Sequence, residues 1–397
     1  MSDLLRALPS IQKPHNSPGR PPAMPLTTAD EGNSSSSDSS ASTNDSIDTL
    51  RPSESTLPTP NPWPQYFEQE LFLESNSENQ HAKYHVYLTP PRDPAKGPLF
   101  ICHHGAGATG MSFACFAAAV KKEMPHAGIL SLEAREHGSV VTSPSGEEIL
   151  DFSIETLVKD TLAMIELVKQ RQGWQKLPPA EFVGHSLGGA IVTRIAADGV
   201  LGAQLVGFAV LDVVEGSAIE ALMHMKTYLA SRPASFASVD QAINWHIRSR
   251  TIRDLESAKA SVPSLMIRDG ERWIWRTDLT RTQKWWEGWF TGMSGMFLRG
   301  RAAKALLLAG TDRLDKELMV GQMQGECFSF SSLESHADLS CTGKFQLTVI
   351  PEAGHFIQED VPGKTAHLMI EFFKRNDRSS LVLPPKVSDL LAQGKRV

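Results

Sequence analysis

Phe182-Val183-Gly184-His185-Ser186-Leu187-Gly188-Gly189-Ala190-Ile191-Val192 reads as a short apolar strand, an abrupt turn flanked by glycines, and the first turn of a helix. A serine stands at the apex. A strand that reverses this sharply into a helix strains the apex backbone and crowds the side chains two residues to either side, and Gly184 and Gly188 remove those side chains. The helix that follows points unpaired N–H groups at the apex, where an oxyanion of acyl transfer would form. Ser186 is therefore the candidate nucleophile.

On either side of this turn, apolar strands alternate with helices. Tyr84–Leu88, Pro98–Cys102, Gly128–Leu132, Leu205–Leu211, Lys304–Ala309 and Phe345–Ile350 are strand-like runs. Met111–Lys122, Ser153–Arg171 and Pro362–Lys374 carry helical spacing, the second with apolar residues at 154, 157, 158, 162, 165 and 168. Such alternation predicts an α/β fold, a mainly parallel sheet covered on both faces, with polar residues gathered at the C-terminal edge of the strands. Residues 215–298 turn mostly helical and rich in tryptophan, which predicts a helical cap above that edge.

Composition limits the alternatives. The chain has 397 residues and a formal charge of −6 without a sustained basic block, which argues against a nucleic-acid binder. Four cysteines, without a C-x-x-C pair, are too sparse for a disulfide framework and suggest a reducing compartment. No run of eighteen apolar residues predicts a membrane span, and the start lacks a secretory h-region, so cytoplasmic or nuclear residence is the default expectation. Residues 1–64, dominated after position 14 by Ser, Pro, Asn, Asp and Thr, cannot bury enough apolar surface to offset ordering entropy and are expected to form a disordered tail. The expected folded domain spans 65–375, and 376–397 forms a C-terminal tail.

A serine nucleophile needs a base, and the base an orienting acid. His355, in the loop after the last strand, follows Ser186 and both acid candidates in the chain; His103, His104, His137 and His185 are rivals near strand ends. For the acid, position alone slightly favours Asp312, in a Gly-Thr-Asp turn after a late strand, over Asp212 at the end of Leu205–Leu211, with Asp315 a further rival. Leu187 N–H and Ala106 N–H, the latter in His104-Gly105-Ala106-Gly107, are the candidate oxyanion donors. No H-E-x-x-H pattern, compact Cys/His group or Gly-Lys-Ser/Thr ending points to metal or nucleotide chemistry.

Longer strings carry a more specific likeness. Gly184–Ala190, Leu211-Asp212-Val213-Val214-Glu215-Gly216-Ser217-Ala218, Ile252–Ala258, Trp285-Trp286-Glu287-Gly288-Trp289-Phe290, Leu307–Lys316 and Gly321–Gly325 together resemble the protein phosphatase methylesterase family of α/β-hydrolases. The resemblance covers roughly residues 65 to 375. It implies a catalytic triad of Ser186, Asp212 and His355, so that Asp212 replaces Asp312 as the expected acid. It also implies cleavage, without metal or organic cofactor, of the methyl ester on the C-terminal leucine of the protein phosphatase 2A catalytic subunit, with that subunit and its scaffold subunit as partners. A small-ester carboxylesterase or lipase, and a phosphatase-binding regulator acting by sequestration, are the alternatives.

Two departures from the family pattern stand out. A Ser-rich insertion occupies 326–342, and Glu136 in Arg135-Glu136-His137-Gly138 stands where many hydrolases have glycine, which predicts a turn of different shape.

Overall fold

The computed structural model describes residues 62–311, 315–324 and 345–378. The expected tails, apart from their inner ends, and the 326–342 insertion lie outside the described residues, as does Asp312.

In chain order the strands are β1 (Gln69–Asn76), β2 (His81–Thr89), β3 (Leu99–His103), β4 (Gly128–Leu132), β5 (Val140–Thr142), β6 (Ala180–His185), β7 (Leu205–Leu211), β8 (Ser235–Phe236), β9 (Met266–Asp269), β10 (Arg272–Trp275), β11 (Ala303–Leu308) and β12 (Phe345–Val349). The α-helices are α1 (Ala114–Glu123), α2 (Ile154–Arg171), α3 (Leu187–Asp198), α4 (Glu215–Ser231), α5 (Val239–Arg248), α6 (Leu255–Leu265), α7 (Trp286–Phe290), α8 (Met293–Arg299), α9 (Lys316–Gln324), α10 (Ile357–Asp360) and α11 (Pro362–Asn376).

The main sheet runs β1-β2-β4-β3-β6-β7-β11-β12, with β5 paired to β2. From β4 to β12 every pairing is parallel; β2 is antiparallel to β1, β4 and β5. The parallel strands are continuous apolar runs because both of their faces are covered. Alternate side chains enter opposite cores: Ile101, Phe182, Phe208, Val210 and Leu306 pack toward α2, α3 and α8. Cys102, Val183, Ala209, Leu211 and Leu307 pack toward α1 and α11. Each large apolar side chain fully buried in this way stabilises the fold by roughly 1.5–3 kcal/mol.

Local signals set the helix ends. Ser153 caps α2 by accepting from Thr156 N–H, Asp254 caps α6 by accepting from Ser257 N–H, and Gly199 closes α3 in the left-handed region at φ 67°.

Residues 215–299 carry α4 to α8 between β7 and β11 and include a second, three-stranded antiparallel sheet, β8-β10-β9. Sequence periodicity indicates a mostly helical region here and marks no strand. The sheet was hidden because its strands are two to four residues long. Its core joins Phe236, Ile243, Val262 and Met266, with Trp245, Trp273 and Trp275 packed against them.

Candidate active site

Parallel pairing brings four strand ends to one edge, and the candidate residues sit on the loops that leave it. Ala106 follows β3, Ser186 follows β6, Asp212 follows β7 and His355 follows β12. Backbone bonds hold these ends in register: Ser186 N–H donates to Leu211 O at 3.1 Å, and Asp212 N–H to Leu307 O at 2.7 Å.

Both Ser186 and Asp212 occupy the left-handed region, at φ 51° and 55°. Neither is glycine, so the surrounding structure must over-determine each conformation at a cost of about 1–3 kcal/mol. At the serine turn the constraint is visible in its glycines. A Cβ on Gly184 would stand 2.4 Å from Gly188 O, and a Cβ on Gly188 would stand 2.2 Å from His103 O. Both obstacles are backbone, which cannot swing away.

His355 Nδ1 lies 2.8 Å from Asp212 Oδ2, a contact spanning 143 residues. The other carboxylate oxygen, Oδ1, accepts from Ala309 N–H at 2.8 Å. The Asp212 side chain is wholly buried while that of His355 is 41% exposed, so a fixed, desolvated acid faces a ring open to the cavity. His185 Nε2–H donates to His355 O at 2.9 Å, tying the backbone of the histidine loop to the residue beside the serine.

Ala106 and Leu187 line the same cavity as Ser186, Asp212 and His355. Among the described residues neither backbone N–H has a hydrogen-bond acceptor. The loop carrying Ala106 is clasped by two buried histidines. His104 Nδ1–H donates to Gly105 O at 2.8 Å, while its Nε2 accepts from Ala134 N–H at 3.0 Å. His137 Nδ1–H donates to Arg135 O at 2.9 Å, and its Nε2 accepts Gly107 N–H at 2.9 Å. Because a trans peptide is planar, holding the Gly105 carbonyl to one side turns Ala106 N–H to the other.

Both clasping rings must be neutral to accept at Nε2. Burial favours this, pushing His137 down to about 4 and His104 well below the usual histidine value. In the sequence these two residues stand only as rival bases, and nothing local signals their role: each joins segments 30 residues apart. His103 is likewise buried, donates from Nδ1 to His104 O at 3.0 Å, and is pushed down to about 4 by burial. Asp315 is occupied as a helix cap, accepting from Leu318 N–H at 2.9 Å and Ser294 Oγ at 2.6 Å.

At the departure from the family pattern, Glu136 adopts the left-handed region at φ 60°. Next to it, Arg135 is fully buried and grips Asp160 through Nε at 2.6 Å and a terminal nitrogen at 2.9 Å, which anchors the turn to α2.

The cavity encloses about 200 Å³. Leu222, Met225, Leu279, Trp289 and Phe290 form apolar walls, and Arg232, Arg250 and Arg253 bring positive charge. Among the described residues no group of three or more His, Cys, Asp or Glu could hold a metal ion, and no helix is long and apolar enough to cross a membrane.

Residues 100–368 match the model of the Alpha/beta hydrolase family. Protein phosphatase methylesterase 1 of Aspergillus fumigatus is 50% identical over 338 residues, covering 83% of this chain and 76% of the relative. The Gibberella zeae protein of that name is 51% identical over 341 residues, covering 85% and 80%. That of Schizosaccharomyces pombe is 40% identical over 327 residues, covering 82% and 87%. Among solved structures, E-2-(acetamidomethylene)succinate hydrolase superposes with a TM-score of 0.54 at 14% identity, over 77% of this chain and all of that one, a likeness of fold alone. A serine turn at the sheet edge, in a chain this similar to its relatives along most of its length, has one consistent interpretation: the chain belongs to the protein phosphatase methylesterase family of α/β hydrolases and is a hydrolytic esterase.

Proposed function

We propose that this esterase removes the methyl ester from the C-terminal leucine of the protein phosphatase 2A catalytic subunit, releasing methanol. The observation that carries the proposal is the 2.8 Å contact of His355 Nδ1 with Asp212 Oδ2 in the cavity that also holds Ser186 at its strained turn. The relatives bearing the name protein phosphatase methylesterase 1 supply the substrate class.

Ser186 Oγ attacks the ester carbonyl while His355 Nε2 takes the hydroxyl proton, and Asp212 holds the ring and stabilises its charged form. The N–H groups of Ala106 and Leu187 receive the negative charge that develops on the carbonyl oxygen; one such donor is worth roughly 10²–10³ in kcat. The tetrahedral adduct collapses, His355 returns the proton to the leaving oxygen, and methanol departs. Water, deprotonated by His355, then attacks the acyl-enzyme. This frees the terminal carboxylate and restores the serine. The apolar walls at Leu222, Met225, Leu279 and Phe290 suit a leucine side chain beside the reacting carbonyl.

The test is methanol release from methylated phosphatase catalytic subunit by the native chain and by Ser186→Ala. Native turnover and none by the variant, with the phosphatase still bound, is the expected result. Full release by the variant overturns the mechanism. Binding without turnover by the native chain would favour sequestration, and turnover only of small acyl esters would favour a general carboxylesterase.

A further inference from the structure

Arg232, immediately after α4, lines the cavity that contains Ser186. Its guanidinium carbon lies 4.2 Å from the centroid of a Trp275 ring and 5.9 Å from that of Tyr228. The indole beneath it is itself held. Trp275 Nε1–H donates to Pro233 O at 2.8 Å, and Phe236 and Trp245 pack edge-on against its ring at 5.7 and 5.8 Å. A guanidinium stacked on a fixed indole is confined to a plane, and its N–H groups bond outward along that plane.

Those groups lack an acceptor among the described residues. The buried Nε has no hydrogen-bond partner. Asp278 exerts an electrostatic pull on Arg232, but its Oδ1 accepts from Thr280 N–H at 3.0 Å and Thr280 Oγ1 at 2.6 Å, and it forms no ion pair with the arginine. Of the other arginines on the cavity wall, Arg253 is committed to Glu352 O at 2.7 Å. Arg250, at φ 57°, brings a second cation without an ion pair among the described residues. A buried N–H without an acceptor is costly, and a ligand that supplies one recovers much of that cost.

Resting on the esterase function proposed above, we propose that Arg232 is the recognition site for a carboxylate side chain, an Asp or Glu that precedes the esterified C-terminus in the substrate protein. The reacting end of a methyl ester is neutral, so the anion that matches Arg232 must be carried elsewhere on the same chain. A carboxylate accepts two parallel N–H bonds from a guanidinium. A monoanion also matches this cavity better than a phosphate dianion, because the Asp212 carboxylate already stands in its wall.

The experiment uses synthetic peptide methyl esters ending in leucine, with Glu or Gln placed in turn at each of the four preceding positions, and the full chain as native, Arg232→Gln and Arg232→Lys. The native enzyme should prefer Glu over Gln at one position by roughly ten- to a hundredfold in kcat/KM, the range of charge-assisted hydrogen bonds. Arg232→Gln should bring that ratio to about one. Arg232→Lys, which keeps the charge without the planar fork, should fall between them. The ratio is taken within one enzyme preparation, so partial unfolding of a variant does not alter it. Equal cleavage of Glu and Gln peptides by the native enzyme overturns the inference while leaving the esterase function standing; cleavage of none of the peptides overturns both. A free-acid product peptide without acidic side chains should inhibit native and Arg232→Gln enzymes equally. Selective loss of that inhibition in the variant would mean that Arg232 reads the newly formed terminal carboxylate instead, and would also overturn the proposal.

Discussion

Replacing His137 by leucine removes an acceptor and a donor at once while keeping most of the side-chain volume. Gly107 N–H, 2.9 Å from His137 Nε2, and Arg135 O, 2.9 Å from Nδ1, both lose their partner. Each buried polar group left unpaired costs roughly 1–3 kcal/mol, so His137→Leu should destabilise the fold by about 2–6 kcal/mol. The loss of activity should exceed what unfolding explains, because the Ala106–Gly107 peptide is released beside the proposed oxyanion donor. A missing donor lowers kcat by roughly 10²–10³, and a donor that remains but is poorly aimed should lower it by about 10–10². His137→Gln can place an amide oxygen near the position of Nε2 and should recover much of the loss. The assay is kcat and KM on a neutral ester such as p-nitrophenyl acetate, at a temperature where thermal denaturation shows each variant folded. A fall in kcat with KM little changed is the expected pattern. A kcat for His137→Leu within twofold of native, or no recovery in His137→Gln, would refute the clasp.

Two further predictions address the framework. Gly188→Ala puts a Cβ 2.2 Å from His103 O and 2.7 Å from His104 O, so the serine turn or β3 must shift. Overpacking of this kind costs about 3 kcal/mol or more and should lower Tm by roughly 6–12 °C, and a Tm within about 2 °C of native would contradict it. Glu181, in β6, is fully buried with neither carboxylate oxygen hydrogen-bonded among the described residues, and burial raises its pKa well above the usual carboxylate value. A carboxyl with a folded pKa above its unfolded one contributes stability at low pH and loses it as pH rises from the unfolded value through the folded one. Glu181→Gln does not titrate, so its stability advantage over native should widen from pH 5 to pH 9 in urea unfolding; parallel curves would refute the argument.

The central strands were legible in the sequence because burial of both faces writes itself as an unbroken apolar run. Leu205–Leu211 reads identically in sequence and structure, and β3, β4, β6, β11 and β12 fall within two residues of their expected ends. Ser186 was legible for a related reason, since a sharp turn at that point demands glycines at 184 and 188 that the sequence displays. β1 escaped notice as a partly exposed edge strand with mixed polarity, Gln69-Glu70-Leu71-Phe72-Leu73-Glu74.

Other features belong to the tertiary structure alone. Position in the chain slightly favours Asp312 and the family resemblance favours Asp212, but neither supplies the contact between a carboxylate and the imidazole. The register of β7 beside β11, with Asp212 N–H bonded to Leu307 O, is what delivers the Asp212 carboxylate to His355. The bonds of His104 to Ala134 and of His137 to Gly107, and the stacking of Arg232 on Trp275, likewise join residues that are distant along the chain. Periodicity and turn chemistry are local and leave a trace in neighbouring residues; hydrogen bonds and stacks between remote segments leave none, and exist only once the sheet has brought its strand ends together.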